Sequence, residues 1–335
     1  MTIIYAIIMF CILILIHEFG HFWVAKACGV RVNEFALGMG PVLFKRKKGE
    51  TQYSLRAVPI GGFCAMEGED EESENPRAFG NKPAWKRALI LVAGSGMNLI
   101  LTIVVLSAIA LYVGIPTTTI SSVTDATPAY EAGIKAGDTL ISMDGKKINK
   151  WKDLSEILAK GGKEIPVEVD RDGKTVNLTT GKTKAEDGRA VIGVVPEVTH
   201  NPFAAVKAGT QNTWNMTVMM GTTIKQLFTG QVGVKELTGP VGIVYAVNDT
   251  AKEGIIYLFY LSALISLNLA IVNMLPLPAL DGGRLVFVAI RKITGKAVTD
   301  EMEGKVHFAG ILLLFGLMLY VTWNDITRFI LPIFN

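Results

Sequence analysis

The first apolar segment of the chain decides its fold class. Residues 3–25 read IIYAIIMFCILILIHEFGHFWVA, with no charge between positions 3 and 16. A transmembrane helix needs roughly 20 mostly apolar residues, so this segment is predicted to cross a bilayer. Ionisable side chains within a span are costly and indicate a functional site by default. His17, Glu18 and His21 are therefore the first candidate functional residues.

These three residues form an H-E-x-x-H motif. Histidines four positions apart fall on one face of a helix and can share a Zn²⁺ ion, with the glutamate as a base. A catalytic zinc usually has three protein ligands and one open position. His17 and His21 supply two ligands, so a third is expected at the same depth. The pattern indicates a metalloprotease whose active site lies inside the membrane.

Asp281 is the candidate for the third ligand. It is the next acidic or basic side chain after Glu253, and it follows Pro276 and Pro278. Prolines break a helix, and irregular backbone at membrane depth is tolerated only where protein or a water-filled cavity surrounds it. Asp281 is then either a metal ligand or the N-cap of the next helix. The incomplete zinc site favours the ligand.

Composition and the positions of the basic residues predict the topology. Half of the residues are hydrophobic and only 19% are charged, which indicates several spans plus a water-soluble segment. The uncharged stretches are residues 1–16 continuing through the motif, 88–124, 254–280 and 306–324. Lys and Arg concentrate between the first two and between the last two stretches, so the positive-inside rule places both loops in the cytoplasm. The long middle segment and both termini are then predicted to be extracytoplasmic.

Several further stretches follow the motifs of one family. They are residues 33–41, Pro59-Ile60-Gly61-Gly62-Phe63, residues 79–87, Ala93-Gly94-Ser95-Gly96-Met97-Asn98, Leu237-Thr238-Gly239-Pro240-Val241-Gly242-Ile243, and Asn268 with Asn273. Together with the H-E-x-x-H motif and Asp281-Gly282, they make nearly the whole chain resemble the site-2 proteases of the bacterial RseP/RasP type. Ser95 departs from the usual proline of that family, and Cys64-Ala65 departs from its usual Val-Lys.

The resemblance implies a zinc metalloendopeptidase with one Zn²⁺ per chain, held by His17, His21 and Asp281, with Glu18 as general base. Its substrates would be transmembrane segments of single-span membrane proteins, such as an anti-sigma factor or a signal-peptide remnant, cut in regulated intramembrane proteolysis. The implied location is the bacterial cell (inner) membrane, as a multi-pass protein. The lipid bilayer is therefore an expected partner, whereas the net charge of +3 forms no basic stripe that would indicate nucleic acid.

Four residues are expected to bind the substrate. The resemblance implies that Asn273 donates a hydrogen bond to the substrate backbone. Gly61, Gly62 and Phe63 belong to the stretch that resembles the membrane re-entrant β-loop of the family. Residues 58–66 are predicted to form a hairpin that turns at the two glycines. The edge of this hairpin would pair with the unwound strand of a substrate.

The exported segment is interpreted as a single PDZ domain. Residues 129–145 resemble a PDZ turn and strand. Alternating apolar residues in 165–169 and 176–178 predict two strands joined by a turn at Asp172-Gly173, and residues 151–160 predict a helix. PDZ domains bind peptides by adding a strand to a sheet edge. Exclusion of substrates with bulky outer domains is the favoured role, because no groove signature is readable, and peptide capture is the alternative.

The chain is thus predicted to be a polytopic α-helical membrane protein with four transmembrane helices, a re-entrant β-hairpin and an inserted α+β PDZ domain. The regions are a protease core with two helices and the β-loop (1–115), the extracytoplasmic PDZ domain (116–197), a post-PDZ linker (198–253), and a core with the last two helices (254–335). In the linker, residues 203–228 predict an amphipathic helix, lying either on the outer leaflet or against the PDZ domain.

Two other classes of function stay open from the sequence. A membrane zinc transporter or sensor would use the same ligands without hydrolysis, but it leaves Glu18 without a task. An inactive PDZ scaffold derived from a protease conflicts with the intact motif and Asp281. His200 and His307 have no ligand partner at a useful spacing in the sequence and are interpreted as structural or interfacial.

Overall fold

The structure is a computed structural model that describes residues 2–69, 71, 73–185, 187–295 and 299–331. The chain forms two compact units. The membrane unit comprises Met1–Ser107 and Gly209–Asn335, and the sheet unit comprises Ala108–Ala208.

The elements follow in chain order. The helices are α1 (Thr2–Ala27), α2 (Ala84–Val113), α3 (Pro128–Glu131), α4 (Trp151–Lys160), α5 (Pro202–Phe228), α6 (Pro240–Glu253), α7 (Ile255–Asn273), α8 (Asp281–Thr294) and α9 (Asp300–Asp325). The strands are β1 (Val32–Lys48), β2 (Thr51–Met66), β3 (Ile115–Val123), β4 (Thr139–Met143), β5 (Lys146–Lys147), β6 (Ile165–Arg171), β7 (Lys174–Thr180), β8 (Thr183–Lys184), β9 (Ala190–Val191) and β10 (Val194–Thr199). A 3₁₀ turn (Val234–Glu236) precedes α6, and a π-helical turn (Ile326–Ile330) follows α9.

Four helices in the described part of the chain are long and apolar enough to cross a membrane. The spans are Ile4–Ala27, Ala84–Val113, Ile255–Asn273 and Glu301–Ile330. The prediction of four spans is confirmed, with one correction to the second. That helix ends at Val113, and the uncharged residues that follow it form β3, because β-branched side chains between Ile115 and Val123 favour a strand.

The loop between α1 and α2 is a bent antiparallel pair of long strands. β1 and β2 are joined by a turn at Gly49 and Glu50. Residues 34–37 of β1 pair with two separate parts of β2, residues 52–55 and 62–65. The pair therefore folds back on itself and holds residues 34–37 between two segments of the same neighbouring strand.

The predicted hairpin over residues 58–66 is wrong. Gly61 and Gly62 lie inside β2, where Gly62 pairs with Leu37 of β1. Gly61 has a φ of +89° and ends the stretch 56–61 over which β2 bends back, since residues 52–55 and 62–65 run along residues 34–37 in opposite directions. The turn that joins the two paired strands lies at Gly49 instead, where a left-handed φ of +65° suits a tight turn.

A buried cluster holds this β-loop against the helices. Its members are Ala25, Cys28, Val30, Val32, Cys64, Met66, Phe79, Ile90, Leu91 and Val288. Cys64 of β2 is thereby packed in one core with Ala25 of α1 and Ile90 of α2. At Gly20 the backbones of α1 and α2 touch, since a Cβ there would lie 2.4 Å from the carbonyl oxygen of Ala93. The motif helix is consequently fixed from two sides.

The sheet unit is built on antiparallel strands in the order β10-β3-β4-β6-β7, with β5 paired to β4. The predicted strand pair is confirmed, since β6 and β7 pair around Asp172 and Gly173. The helix predicted at residues 151–160 is confirmed as α4. Ile165, Val167 and Val169 point into the core of this unit, while the residues between them are exposed. The boundaries 116–197 stay a prediction.

An ion pair between the partly exposed Arg171 and the buried Asp138 ties β6 to the loop before β4. Arg171 donates two hydrogen bonds to the carboxylate of Asp138, at 2.7 and 2.8 Å, and the N–H of Lys135 donates a third at 2.8 Å. Burial of Asp138 opposes its ionisation, but the hydrogen bonds from Arg171 outweigh it and hold the pKa of Asp138 below its usual value. The charged pair therefore contributes to the stability of the sheet unit at neutral pH.

The helix predicted at residues 203–228 is confirmed as α5, Pro202–Phe228. Within the membrane unit, α5 contacts α2 at Ser107. A Cβ on Gly209 would lie 2.2 Å from Oγ of Ser107, so the two helices are in close contact there. Its position on the outer leaflet stays a prediction.

Candidate metal centre

The three predicted ligands come together in the membrane unit. His17 and His21 lie one turn apart on α1 and are buried, with 8% and 7% of their surface exposed. Their Nε2 atoms are 3.2 Å apart, and Oδ2 of Asp281 lies 3.3 Å from each of them. Three potential ligand atoms thus form a nearly equilateral triangle.

The break after the third span delivers Asp281 to this triangle. α7 ends at Asn273, an irregular segment follows, and α8 begins at Asp281 itself. Leu280 is the N-cap of α8, so the alternative prediction of Asp281 as the cap is wrong. A Cβ on Gly282 would lie 2.3 Å from the oxygen of Leu275. The glycine therefore lets α8 fold directly back onto the broken segment.

The size of the triangle fits a zinc ion. Zn–N and Zn–O bonds of about 2.0–2.1 Å in a tetrahedral site place ligand atoms about 3.3–3.4 Å apart. The observed separations of 3.2–3.3 Å match this requirement. The space beside the ligand atoms is kept open by Gly94 of α2, where a Cβ would lie 2.3 Å from Nε2 of His21. Two imidazoles and a carboxylate are also a donor set that suits zinc.

Glu18 borders the same site but lies outside the triangle. A cavity of about 240 Å³ is lined by Ile14, His17, Glu18, Leu269, Asn273, Ala279, Leu280 and Asp281. The backbone N–H of Cys64 in β2 lies beside the Glu18 carboxylate. The carboxylate lies at the cavity next to the ligands, where it can exchange a proton with a molecule in the cavity.

The predicted substrate-binding residues are placed differently from one another. Asn273 lines the cavity, and its Nδ2 lies 3.4 Å from Nε2 of His17. Gly62 approaches the base, since a Cβ there would lie 3.5 Å from Cγ of Glu18. Gly61 instead faces Met39 of β1, and the ring of Phe63 lies under the guanidinium of Arg56 at 4.8 Å. The structure therefore brings Asn273 and Gly62 to the site, whereas Gly61 and Phe63 flank it along β2.

Two contacts from α2 to the histidines have no counterpart in the sequence-based prediction. The carbonyl oxygen of Ile90 lies 2.8 Å from Nδ1 of His21, and the amide of Asn98 lies 3.3 Å from Nδ1 of His17. A buried asparagine inside an apolar span is itself a signal of function, so Asn98 was open to prediction. A backbone carbonyl carries no such signal.

His307 contacts the broken segment from the fourth span. Its Nδ1 accepts a hydrogen bond of 2.9 Å from the backbone N–H of Ala279, two residues before Asp281. The interpretation of His307 as structural is consistent with this contact, because it anchors the segment that carries the third ligand. His200 lies in the sheet unit, where Nδ1 is 2.7 Å from the carbonyl oxygen of Leu111.

The family of the chain follows from comparison with known sequences. Residues 5–317 match the family described as Peptidase family M50. The chain belongs to peptidase family M50. This M50 protein is 40% identical to a Clostridium acetobutylicum protein with the provisional name of zinc metalloprotease, over 97% of each chain. It is 34% identical to the regulator of sigma-W protease RasP of Bacillus subtilis, over 98% of this chain and 99% of that one.

A third relative, the zinc metalloprotease RasP of Geobacillus kaustophilus, is 33% identical over 98% of this chain and 99% of the other. The resemblance to the RasP type is confirmed, and the M50 protein is a zinc metalloprotease of the membrane. Among solved structures, the PDZ domain of an SdrC-like protein from Listeria innocua is 18% identical. It covers 26% of this chain and 99% of that one with a TM-score of 0.23, which is too low to support an argument.

Proposed function

We propose that this membrane zinc metalloprotease cleaves peptide bonds within the transmembrane segments of single-span membrane proteins, in regulated intramembrane proteolysis. One observation carries the proposal: two of the three converging ligand residues belong to α1, which is itself a candidate span. Placing ionisable groups in a span is costly, and that cost serves no purpose for a substrate in water. A substrate segment that lies in the bilayer reaches such a site laterally.

The ligands and the base have separate tasks. His17, His21 and Asp281 hold one Zn²⁺ per chain, as the triangle of their atoms supports. When bound, zinc supplies Lewis-acid chemistry, which lowers the pKa of water to about 7 and polarises a carbonyl. Glu18 takes the proton of the attacking water as general base and returns it to the leaving amine. Glu18 lines the same cavity as His17 and Asp281, which supports this role.

The strand β2 is proposed to hold the substrate. A transmembrane helix must unwind before its peptide bonds are accessible, and an added strand replaces the hydrogen bonds that it loses. Within the described register, residues 62–65 pair with β1 on one side, which leaves their other side for a substrate. Gly61 and Gly62 keep that edge free of side chains, Phe63 continues it, and Asn273 supplies an amide donor in the cavity.

The orientation follows from the basic loops. Both termini and the sheet unit are proposed to be extracytoplasmic, with the protein in the bacterial inner membrane. A cysteine introduced into Lys45–Lys48, in a background without the native cysteines, should resist a membrane-impermeant thiol reagent in intact cells. A cysteine at Asp172 should react. The reverse labelling pattern would place the sheet unit in the cytoplasm.

The sheet unit is proposed to be the PDZ domain and to exclude substrates with large outer domains. The structure also supports the competing role of peptide capture, since a cavity of about 730 Å³ lies between α4 and the strands β8 and β9. Replacing residues 118–197 by a short linker should allow cleavage of a reporter that keeps its folded outer domain. Loss of cleavage of a pre-trimmed reporter, reproduced by filling the cavity with Ala159→Trp, would establish capture instead.

The decisive experiment uses purified full-length protein and a labelled single-span reporter, with and without a zinc chelator. Glu18→Gln should abolish cleavage while zinc stays bound, because Glu18 does not coordinate, and exposed Glu131→Gln serves as the matched control. Asp281→Ala should lose zinc and cleavage together. Cleavage by Glu18→Gln at the wild-type rate would refute the mechanism, and a full zinc content in Asp281→Ala would reassign the third ligand. Zinc bound with no cleavage by the wild-type protein would favour a transporter, sensor or inactive scaffold.

A further inference from the structure

The strongest feature outside the assigned roles is Asn98, in the middle of α2. It is fully buried, and its amide faces Nδ1 of His17 at 3.3 Å. In this orientation Nδ2 faces the ring, while Oδ1 has no hydrogen-bond partner among the described residues. A buried oxygen without a partner costs about 1–3 kcal/mol. The two ends of an amide have nearly the same shape, so hydrogen bonding decides which way it points.

The proposed ligand role of His17 decides this orientation. Its Nε2 faces Nε2 of His21 and Oδ2 of Asp281, so Nε2 is the coordinating atom. A neutral histidine that coordinates through Nε2 carries its hydrogen on Nδ1. Two donors would then face each other if Nδ2 of Asn98 stayed in place. Turning the amide by 180° puts Oδ1 opposite the Nδ1–H, which replaces two facing donors by a hydrogen bond.

Nδ1 of His21 also faces a group on α2, and this group can act only as a hydrogen-bond acceptor. It is the carbonyl oxygen of Ile90, which lies 2.8 Å from this nitrogen. His21 therefore also carries its hydrogen on Nδ1 and leaves Nε2 for the metal. Ile90 and Asn98 belong to the same helix, so α2 orients both imidazoles.

The backbone around Asn98 is held firmly enough for this task. Its carbonyl oxygen accepts hydrogen bonds from Thr102 Oγ1 and Ser266 Oγ, both at 2.9 Å. Thr102 also bonds the carbonyl oxygen of Ala263, at 3.2 Å. These buried contacts join α2 to α7 at the level of Asn98. The amide is therefore presented to His17 from a fixed position.

We propose that Asn98 is a positioning residue, whose Oδ1 accepts the Nδ1–H of His17 and so fixes the ring with Nε2 toward the metal. The proposal rests on the role of His17 as a zinc ligand given above. According to this proposal, zinc binding requires the acceptor oxygen Oδ1 of the Asn98 amide and does not require its NH₂ group. An aspartate at this position keeps an acceptor oxygen, whereas a leucine of similar volume keeps neither group.

The test measures zinc affinity of the full-length protein by competition with a chromogenic chelator, together with the melting temperature of the zinc-free protein. Asn98→Leu should raise the zinc dissociation constant by about 10- to 100-fold, the usual effect of losing a partner of a ligating histidine. Asn98→Asp should bind zinc within about threefold of wild type, because it still accepts the hydrogen. Thr213→Val is the matched control, since it removes a buried hydroxyl hydrogen bond, from Thr213 to the carbonyl oxygen of Gly209, that involves neither Asn98 nor His17.

Two results would overturn the proposal. Zinc affinity in Asn98→Leu equal to that of Thr213→Val would make Asn98 a packing residue. Equal losses in Asn98→Asp and Asn98→Leu would show that the NH₂ end matters instead. If Asn98→Leu does not fold, Asn98→Asp alone decides between acceptor and donor. A full zinc content in His17→Ala would instead refute the ligand assignment on which the proposal rests.

Discussion

Gly94→Ala is expected to weaken zinc binding through a single methyl group. The added Cβ would lie 2.3 Å from Nε2 of His21 and 2.7 Å from Cε1 of His17. Ordinary contact begins near 3.4 Å, so the methyl overlaps the His21 ring by about 1.1 Å. Moving the helices apart is unfavourable, because Ala25 of α1 and Ile90 of α2 share one buried core that separation would expose. The imidazole must therefore turn away from the metal position.

The size of the effect follows from the cost of overpacking. Inserting a methyl group into a closely packed site costs about 1–3 kcal/mol. Because 1.4 kcal/mol corresponds to a factor of ten, the zinc dissociation constant should rise by about 5- to 150-fold. Cleavage of the reporter at limiting zinc should fall in parallel.

The matched control lies two residues further along the same helix. A Cβ on Gly96 meets nothing within 4 Å, while Gly96→Ala brings the same gain in helix propensity, about 1 kcal/mol in water. Zinc affinity is measured by chelator competition, and the melting temperature of the zinc-free protein reports on the helix itself. If Gly94→Ala binds zinc as tightly as Gly96→Ala, the enclosure of the ligands by α2 is refuted.

The remaining predictions concern two hydrogen-bonded contacts. Folding lowers the pKa of Asp138, so its pairing with Arg171 stabilises the sheet unit above about pH 4, the usual pKa of Asp. This contribution is lost as the pH falls through the lowered pKa of the folded state. Arg171→Met should lower the urea midpoint of the sheet unit at pH 7, because it leaves the buried Asp138 carboxylate without its partner. Urea unfolding with pulsed hydrogen exchange in β6 and β7 measures this, and an unchanged midpoint would contradict it. His307→Leu should remove the hydrogen-bond acceptor of the Ala279 N–H and speed hydrogen exchange at Ala279. Phe308→Leu changes an exposed neighbour and should leave that exchange rate unchanged. Equal exchange rates at Ala279 in both variants would contradict the anchoring role of His307.

Local patterns made most of the metal centre predictable. The spacing of His17 and His21 depends only on helix geometry, and Asp281 was the next acidic or basic side chain after a charge-free stretch. The helix α4 and the β6–β7 hairpin also followed from short-range periodicity and turn residues. Their agreement with the structure shows how far local rules carry when an element is regular.

The β-loop and the contacts around the histidines depended on distant partners instead. Where β2 bends back is decided by the pairing of Gly62 with Leu37, and no local pattern contains that register. The N–H of Cys64 and the carbonyl of Ile90 act through groups that every residue possesses, so the sequence carries no mark of them.

Five glycines allow main chain to approach closely around the metal centre. An added Cβ would lie within 3 Å of backbone or of a ligand ring at Gly20, Gly62, Gly94, Gly282 and Gly283. Substitutions at these glycines should rarely be tolerated, because even an added methyl group would clash. Diversity among descendants of this protein should therefore accumulate at cavity side chains such as Ile14 and Leu269, which alter the shape offered to a substrate without disturbing the metal. Efforts to redesign its specificity have the same two starting points.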